Sequence, residues 1–505
     1  MDIITASQAA ALIADGSTVV SGGFGSCGHP DLLTQALRRS FLQTGSPNTL
    51  TLLFAAGQGD KAGRGLDQLA LDGLVVKAIG GFWGLCPALA EMAVQGRLQA
   101  HNWPQGVISK LFSKIAAHEP GLITRIGLGT FVDPEHGGGV IGSQQAQSLV
   151  EPITIKGQRY LLYPTLPLDY ALLRGSVSDE CGNISLESET SFMDVLAQAQ
   201  AVKNCGGKVI VQVKKITASG NLKPADVKIP GFLVDYVVLA QDAEHPQTYG
   251  RHHAVGYTQR TAAVEPVVLD TLPVARRIIA SRAARELHRY PHANINLGIG
   301  IPALIGAYAK RLGIEGFTVS VESGVVGGIP DEGLCFGASL NPHAIIDQAA
   351  LFDFYDGGGL DVAFLGFGEI DKAGNVNVSR FGTRLPGAGG FINISQTAKH
   401  LFFCGTTTAD GATVSLGHDG RLEQIRSGRI SKFVERVGHL TFNAPEALRR
   451  GQQVTYITEV GVFRLHPTGL CLVELAAGVS LETVRTLVNF PIDVSPDLEV
   501  MTFSL

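Results

Sequence analysis

The chain repeats itself, and that repeat constrains its fold more than any single motif. Val177-Ser-Asp179-Glu-Cys-Gly182-Asn183-Ile-Ser resembles Gly368-Glu-Ile-Asp371-Lys-Ala-Gly374-Asn375-Val-Asn. Lys208, followed by an apolar run, resembles Lys399-His-Leu-Phe-Phe. These pairs share an offset of about 191 residues, with one gap allowed. A third correspondence joins Val20-Ser-Gly-Gly-Phe-Gly25 to Asn296-Leu-Gly-Ile-Gly300 at a larger offset. The first half therefore carries an insertion between its first glycine loop and its Asp-x-x-Gly-Asn turn. Three elements in a common order favour duplication over chance similarity of turn residues.

Each copy reads as an α/β unit. Apolar runs such as Thr49-Leu-Thr-Leu-Leu-Phe54, Lys208 to Val213 and Tyr236 to Ala240 have the composition of buried strands. Asp31 to Leu42 and Leu272 to His288 read as helices between them. This alternation predicts two tandem, related open-sheet α/β domains with mainly parallel strands. A chain of 505 residues is too long for one core, which agrees with two domains. The segment Thr217 to Glu265 is rich in glycine and proline, and the join is placed near 266–270. The expected domains are thus 1–268 and 269–505.

Composition excludes several function classes. Hydrophobic residues make up 45% and charged residues 17%, which argues against disorder. A formal net charge of -5 gives no basic footprint, so no nucleic-acid partner is expected. The seven cysteines form no Cys-x-x-Cys pair, and His/Cys spacing suggests no metal site. Reduced thiols packed in a cytoplasmic protein are expected. No signal or transit peptide is evident, and no apolar run is suited to a membrane helix.

Two glycine loops invite a dinucleotide reading. Gly23-Phe-Gly25-Ser-Cys-Gly28 fits G-x-G-x-x-G, but the acid expected about twenty residues later is missing. Gly298-Ile299-Gly300-Ile301-Pro302-Ala303 fits the looser form, and Pro302 suits the first turn of a helix. Backbone amides at such a helix start can hold an anion. No nucleophile elbow, P-loop or His-Glu-x-x-His occurs.

One carboxylate stands apart. In Thr318-Val-Ser-Val-Glu322-Ser-Gly-Val-Val-Gly-Gly-Ile-Pro330, a strand runs out into a glycine-rich bend. A lone Glu there is either a buried structural acid or a reactive group, and this segment alone leaves both open. Trp103-Pro-Gln105 and Pro386-Gly387-Ala-Gly389-Gly390 offer a side-chain amide and backbone N–H groups that can serve an oxyanion. Glu369, in Gly366-Phe-Gly368-Glu369, competes with Glu322. It lies beside the repeated turn, so a structural role is preferred for it.

Together these segments resemble the family I coenzyme A transferases across essentially the whole chain. Ser21 to Gly25, Pro104 to Gly106, Glu322 to Gly327 and Pro386 to Gly390 match that family's motifs, in the family's order. The resemblance implies the family's pair of tandem domains. It implies that Glu322 is a nucleophile forming a γ-glutamyl-CoA thioester, with ping-pong kinetics. It implies that Gln105 and the Gly389 amide serve the oxyanion. Gly298, Ile299, Gly300, Ile301, Pro302 and Gly390 are assigned to CoA and substrate. Because Gln105 lies in the first half and Glu322 in the second, a site between domains is expected. Glu322-Ser-Gly324 is similar to the branch acting on acetate, propionate and other short-chain acids; the 3-oxoacid branch carries Glu-Asn-Gly. A 3-oxoacid CoA-transferase and a related acyl-CoA hydrolase are the alternatives. The resemblance further implies acyl-CoA and short-chain carboxylic acids as substrates, no tightly bound cofactor and no metal. A homo-oligomer such as a tetramer is also implied.

Overall fold

The computed structural model of the chain describes residues 1–142, 147–261 and 269–505. The expected join at residue 268 falls on 262–268, outside the described residues. Two compact units make up the chain, and their segments interleave along the sequence. One holds Met1–Thr261, Val321–Asp353 and Arg380–Asn393. The other holds Ala262–Ser320, described from Leu269 onward, Phe354–Ser379 and Ile394–Leu505.

The first unit is built on a nine-stranded sheet. Thr18–Ser21 lies at its centre, with Leu50–Ala56, Val75–Phe82 and Gln99–Asn102 stepping outward on one side. The chain then returns to the other side for Tyr170–Arg174, Lys208–Val213 and Tyr236–Leu239. These strands are parallel throughout. The apolar runs are nearly continuous because both faces are covered. Val20, Leu53, Ala55 and Ile79 face one side and pack with Val107, Ile108 and Leu111 of the helix Gln105–Ala116. Val19, Leu52, Phe54 and Ala78 face the other and pack with Leu33 and Leu37 of the helix Asp31–Thr44. Each fully buried side chain of Leu53 size contributes about 2 kcal/mol. The alternation of faces fixes strand register, since a slip by one residue would exchange the two cores.

The second unit repeats the plan. Thr318–Val321, Asn294–Leu297, Val362–Gly366, His400–Cys404 and Gln453–Ile457 pair in parallel. The sheet then turns antiparallel through Gly461–His466 and Gly469–Ala476. Asp493–Met501 ends it, parallel to its neighbour.

The repeated Asp-x-x-Gly-Asn turn is built twice with the same bonds. Asp179 Oδ1 accepts from the amides of Cys181 and Asn183, both at 2.9 Å, while its Oδ2 accepts from Asn183 Nδ2 at 2.9 Å. Asp371 Oδ1 accepts from Ala373 and Asn375 amides at 3.1 and 3.0 Å, and its Oδ2 from Asn375 Nδ2 at 3.1 Å. Gly182 and Gly374 sit at φ of +84° and +86°, where a side chain would be strained. Each Asp strand pairs antiparallel with the strand that follows the turn and parallel with a later one.

The glycine loops are equivalent as well. The amide of Gly22 donates to Leu172 O and that of Gly298 to Phe364 O, each at 2.9 Å. Gly23 and Gly28 are glycine for packing reasons. A Cβ on Gly23 would lie 2.8 Å from Gln58 Cγ, and one on Gly28 would lie 2.2 Å from Met193 Cε. Protein side chains thus fill the space that a dinucleotide reading of this loop would give to pyrophosphate.

Candidate active site

Glu322 follows directly on the strand Thr318–Val321. Three contacts hold the bend that presents it. The amide of Gly324 donates to Val321 O at 2.9 Å, and Ile346 N donates to Gly324 O at 2.9 Å. Ser323 Oγ donates to Gly337 O at 2.6 Å. Gly324 has φ +104°, and a Cβ there would meet Ile346 O at 2.0 Å, so only glycine fits. Glu322 is left 8% exposed.

The segment 386–390 lies against it. Pro386 O accepts from Trp83 N at 2.7 Å, and Ala388 N donates to Asn102 Oδ1 at 2.9 Å. Gly389 N donates to Gly81 O, and Gly389 O accepts from Gln105 N, both at 2.9 Å. The helix Gln105–Ala116 has no side-chain cap. This segment satisfies its first amides instead, Gln105 through Gly389 O and Gly106 through Asn393 Oδ1 at 3.2 Å. The same bonds that cap the helix therefore tie Gln105 to the loop.

Glu322 and Gln105 meet the loop at successive residues. A Cβ on Gly390 would lie 3.1 Å from Glu322 Cγ and 3.3 Å from the Phe352 ring. A Cβ on Gly389 would lie 3.7 Å from Gln105 Oε1 and 3.5 Å from Phe82 Cδ2. The two glycines leave the space between the carboxylate and the side-chain amide open. Gln105 is buried, and its Nε2 donates to Gln348 Oε1 at 3.4 Å.

Two sequence expectations need revision here. The amide of Gly389 was assigned to an oxyanion, but it is engaged by Gly81 O. The next amide, that of Gly390, meets no acceptor among the described residues, and it adjoins Glu322. Second, Gln105, Glu322, Gly389 and Gly390 do not divide between the two compact units. All four belong to the first, because it recruits Val321–Asp353 and Arg380–Asn393 from the second half of the sequence.

The other assignments fall elsewhere. Gly298, Ile299, Gly300, Ile301 and Pro302 belong to the second unit, after the strand Asn294–Leu297, with Ile299 53% exposed. Pro302 opens a short helical turn, Pro302–Leu304. Glu369 is structural: its Oε2 accepts from Asn377 Nδ2 at 2.8 Å and Gly438 N at 3.2 Å. Sequence reasoning missed Gln348, Ser109 and Asp194, which meet behind Gln105. Only Ser109 carried a signal, since it sits one helical turn from Gln105. Among the described residues no group of three or more His, Cys, Asp and Glu could hold a metal ion, and no helix is long and apolar enough to cross a membrane.

Known proteins share this arrangement of fold and motifs. The sequence profile of the Coenzyme A transferase family matches residues 3–240. The chain is 38% identical over 503 residues to acetate CoA-transferase YdiF of Escherichia coli K12, covering 99% of this chain and 94% of that one. It is 41% identical over 514 residues to caffeate CoA-transferase of Acetobacterium woodii, covering 99% and 97%. The crystal structure of YdiF apoenzyme from E. coli O157:H7 superposes with a TM-score of 0.93 at 37% identity, over 99% of this chain and 95% of that chain. The chain belongs to the family I CoA-transferases, and it is a CoA-transferase.

Proposed function

We propose that this enzyme moves CoA between a short-chain acyl-CoA and a free carboxylic acid such as acetate or propionate, through a thioester on Glu322. The observation that carries the reading is the opening bounded by Glu322, Gly390 and the side chain of Gln105, which sets a carboxylate next to a glycine backbone with a side-chain amide nearby. The carboxylate of Glu322 attacks the donor thioester carbonyl, and CoA leaves as thiolate. The product is an acyl-glutamyl anhydride. The thiolate attacks the glutamyl carbonyl, giving γ-glutamyl-CoA and releasing the first acid. A second carboxylate attacks the glutamyl thioester and reverses these steps, leaving as the new acyl-CoA. No water enters the sum, so the thioester bond energy is conserved.

Each addition places a negative charge on a former carbonyl oxygen. Gln105 Nε2 and the amide of Gly390 are suited to it, each such donor being worth about 3 kcal/mol in the transition state. The anhydride and thioester need a dry site, and the burial of Glu322 and Gln105 supports that. Short acids agree with the buried ring of Phe352, which meets both Gly106 and Gly390 and narrows the opening. The 41% identity to a caffeate CoA-transferase favours a second reading, an arylpropenoic acid as acceptor. We assign no tightly bound cofactor, a cytoplasmic location and a homo-oligomeric state to the same reading.

The test is incubation with acyl-CoA, borohydride reduction and peptide mass analysis. Reduction of Glu322 to the alcohol is expected. An unmodified Glu322 during turnover rejects the mechanism. Initial rates with acetate, propionate, caffeate, succinate and acetoacetate then choose the acid. A marked preference for the last two moves the enzyme to the 3-oxoacid branch, and rapid CoA release without any acceptor makes it a hydrolase.

A further inference from the structure

The second unit carries a cavity of about 420 Å³. None of its lining residues belongs to the unit that holds Glu322. Its floor is one face of the second sheet. His400 pairs with Gln453, and two residues on Phe402 pairs with Thr455, which pairs in turn with Arg464. Residues two apart on a strand face the same side, so His466 joins Arg464 there. The helix Val274–Glu286 brings Arg282 and Glu286 to this floor, and the chain that follows it adds Arg289 and Tyr290. The Tyr290 and His400 rings lie 4.5 Å apart, centre to centre.

Charge is unbalanced in this cavity. Arg282, Arg289 and Arg464 line it against one carboxylate, Glu286. Arg282 is buried and answered twice, by Glu286 at 2.7 Å and by both oxygens of Glu474. Glu286 also accepts from Arg289, at 3.2 Å. Both acids are thereby engaged, and Arg464 is left over. Among the described residues, neither Arg464 nor His466 has an ion-pair or hydrogen-bond partner for its side chain. The arginines nevertheless converge. Burial and then Glu286 push the Tyr290 phenol up, while Arg289 and Arg464 draw it down. Both guanidiniums therefore lie near that one hydroxyl.

A solitary exposed arginine is satisfied by water. Two guanidiniums drawn toward one phenol repel each other, and an anion between them turns that repulsion into two charge-assisted forks. A single carboxylate has two oxygens and serves one fork, so the acid must be multiply charged. The hydroxyls of Tyr290 and Thr455 supply further donors. The volume lies within the range of ordinary ligand pockets, so a body of several heavy atoms is accommodated. We infer that this cavity binds a small, multiply charged anion, a phosphate ester or a polycarboxylate, between Arg289 and Arg464. The inference does not rest on the role of Glu322.

Titration calorimetry of the full-length enzyme with pyrophosphate and, separately, with citrate tests it. Both are run in about 0.1 M chloride, which screens diffuse surface attraction. One site per chain is expected for at least one probe. Pyrophosphate alone assigns the cavity to phosphate esters, and citrate alone to polycarboxylates. Arg464→Gln and Arg289→Gln should each weaken binding about tenfold to a hundredfold, as for loss of a hydrogen bond to a charged group. Arg464 is exposed, so its replacement leaves the core intact. Arg429, an exposed arginine of the same unit paired with Asp410, is the control, and Arg429→Gln should bind like the wild type. Saturating CoA should leave the titration in place. If CoA abolishes it, the probe occupies the site of the transfer substrate and the inference fails. It fails also if neither probe binds below about 10 mM, or if both cavity variants titrate like the wild type.

Discussion

Ala55 and Glu322 occupy equivalent places in the two halves of the chain. Gly22 and Gly298 make the same bond to the neighbouring strand. Counting back two residues gives Val20 and Asn296, which pair in register with Leu53 and Ser320. Two residues on are Ala55 and Glu322, each followed by a small residue and then a glycine, Gly57 or Gly324. The same strand end carries a packed alanine in one half and the carboxylate of Glu322 in the other. Ala55 is 2% exposed among Val107, Ile108 and Trp103, so nothing reactive is possible there. The first half contributes Gln105 instead, from beyond the strand Gln99–Asn102. The repeated scaffold thus carries the carboxylate of Glu322 in one copy and the side-chain amide of Gln105 in the other.

That division predicts unequal consequences for changes at equivalent places. Glu322→Ala is expected to lower transfer about ten-thousandfold while the circular dichroism spectrum is unchanged, because a covalent step loses its nucleophile. Retained transfer would show that the second copy does not hold the reactive carboxylate. Gln105→Ala is expected to lower kcat about a hundredfold to a thousandfold, with a smaller change in KM, as for loss of one oxyanion donor. Equal losses in kcat and in the affinity for substrate would instead make it a binding residue.

The Asp-x-x-Gly-Asn turns predict the opposite, equality. Asp179→Ala and Asp371→Ala each leave the two amides of the turn and its Asn side chain without their acceptor, and Asp371→Ala also frees the amide of Val437, bonded at 3.3 Å. Each is expected to weaken the urea transition of its own unit by about 2–3 kcal/mol, and neither should change KM. A large loss from one and none from the other would break the structural equivalence of the copies.

The smallest effect is a pH dependence confined to the first unit. Asp194 is held near 7 against an ordinary 3.8, by burial first and Asp347 in addition; Ser109 and Gln348 are its hydrogen-bonding neighbours. Between about pH 4 and pH 7 the folded state binds more protons at this group than the unfolded chain does. Stability from this group is therefore fully present below that window and is lost as pH rises through 7. A melting-temperature series from about pH 5 to pH 8 should fall less steeply for Asp194→Asn than for the wild type. Identical slopes would mean that Asp194 does not titrate in that window.

Much of the fold was legible because it rests on local patterns. Lys208–Val213 stands where its apolar run places it, and Asp31–Thr44 extends the expected helix by two residues. The bend at Glu322 was legible through its flanking glycines. The bond from the Gly389 amide to Gly81 O was not, because it depends on a contact between segments far apart in sequence. Nor was the grouping of residues into units. Asp194 and Gln348 lie 154 residues apart in sequence, and their contact depends on that grouping.

The interleaving of segments also sets an order of assembly. Ala388 and Ile392 fill one core of the first unit, and Leu385 fills the other. A ribosome that has made residues 1–261 has made every strand of the nine-stranded sheet but none of these plugs. Domains ordinarily condense as they emerge, N-terminal first. Here the sheet emerges early and waits, with gaps in both cores, until residue 393 of 505 has been added. Glu322 and the last core side chains thus arrive late, so a chain that stops before Leu385 lacks the side chains that complete both cores.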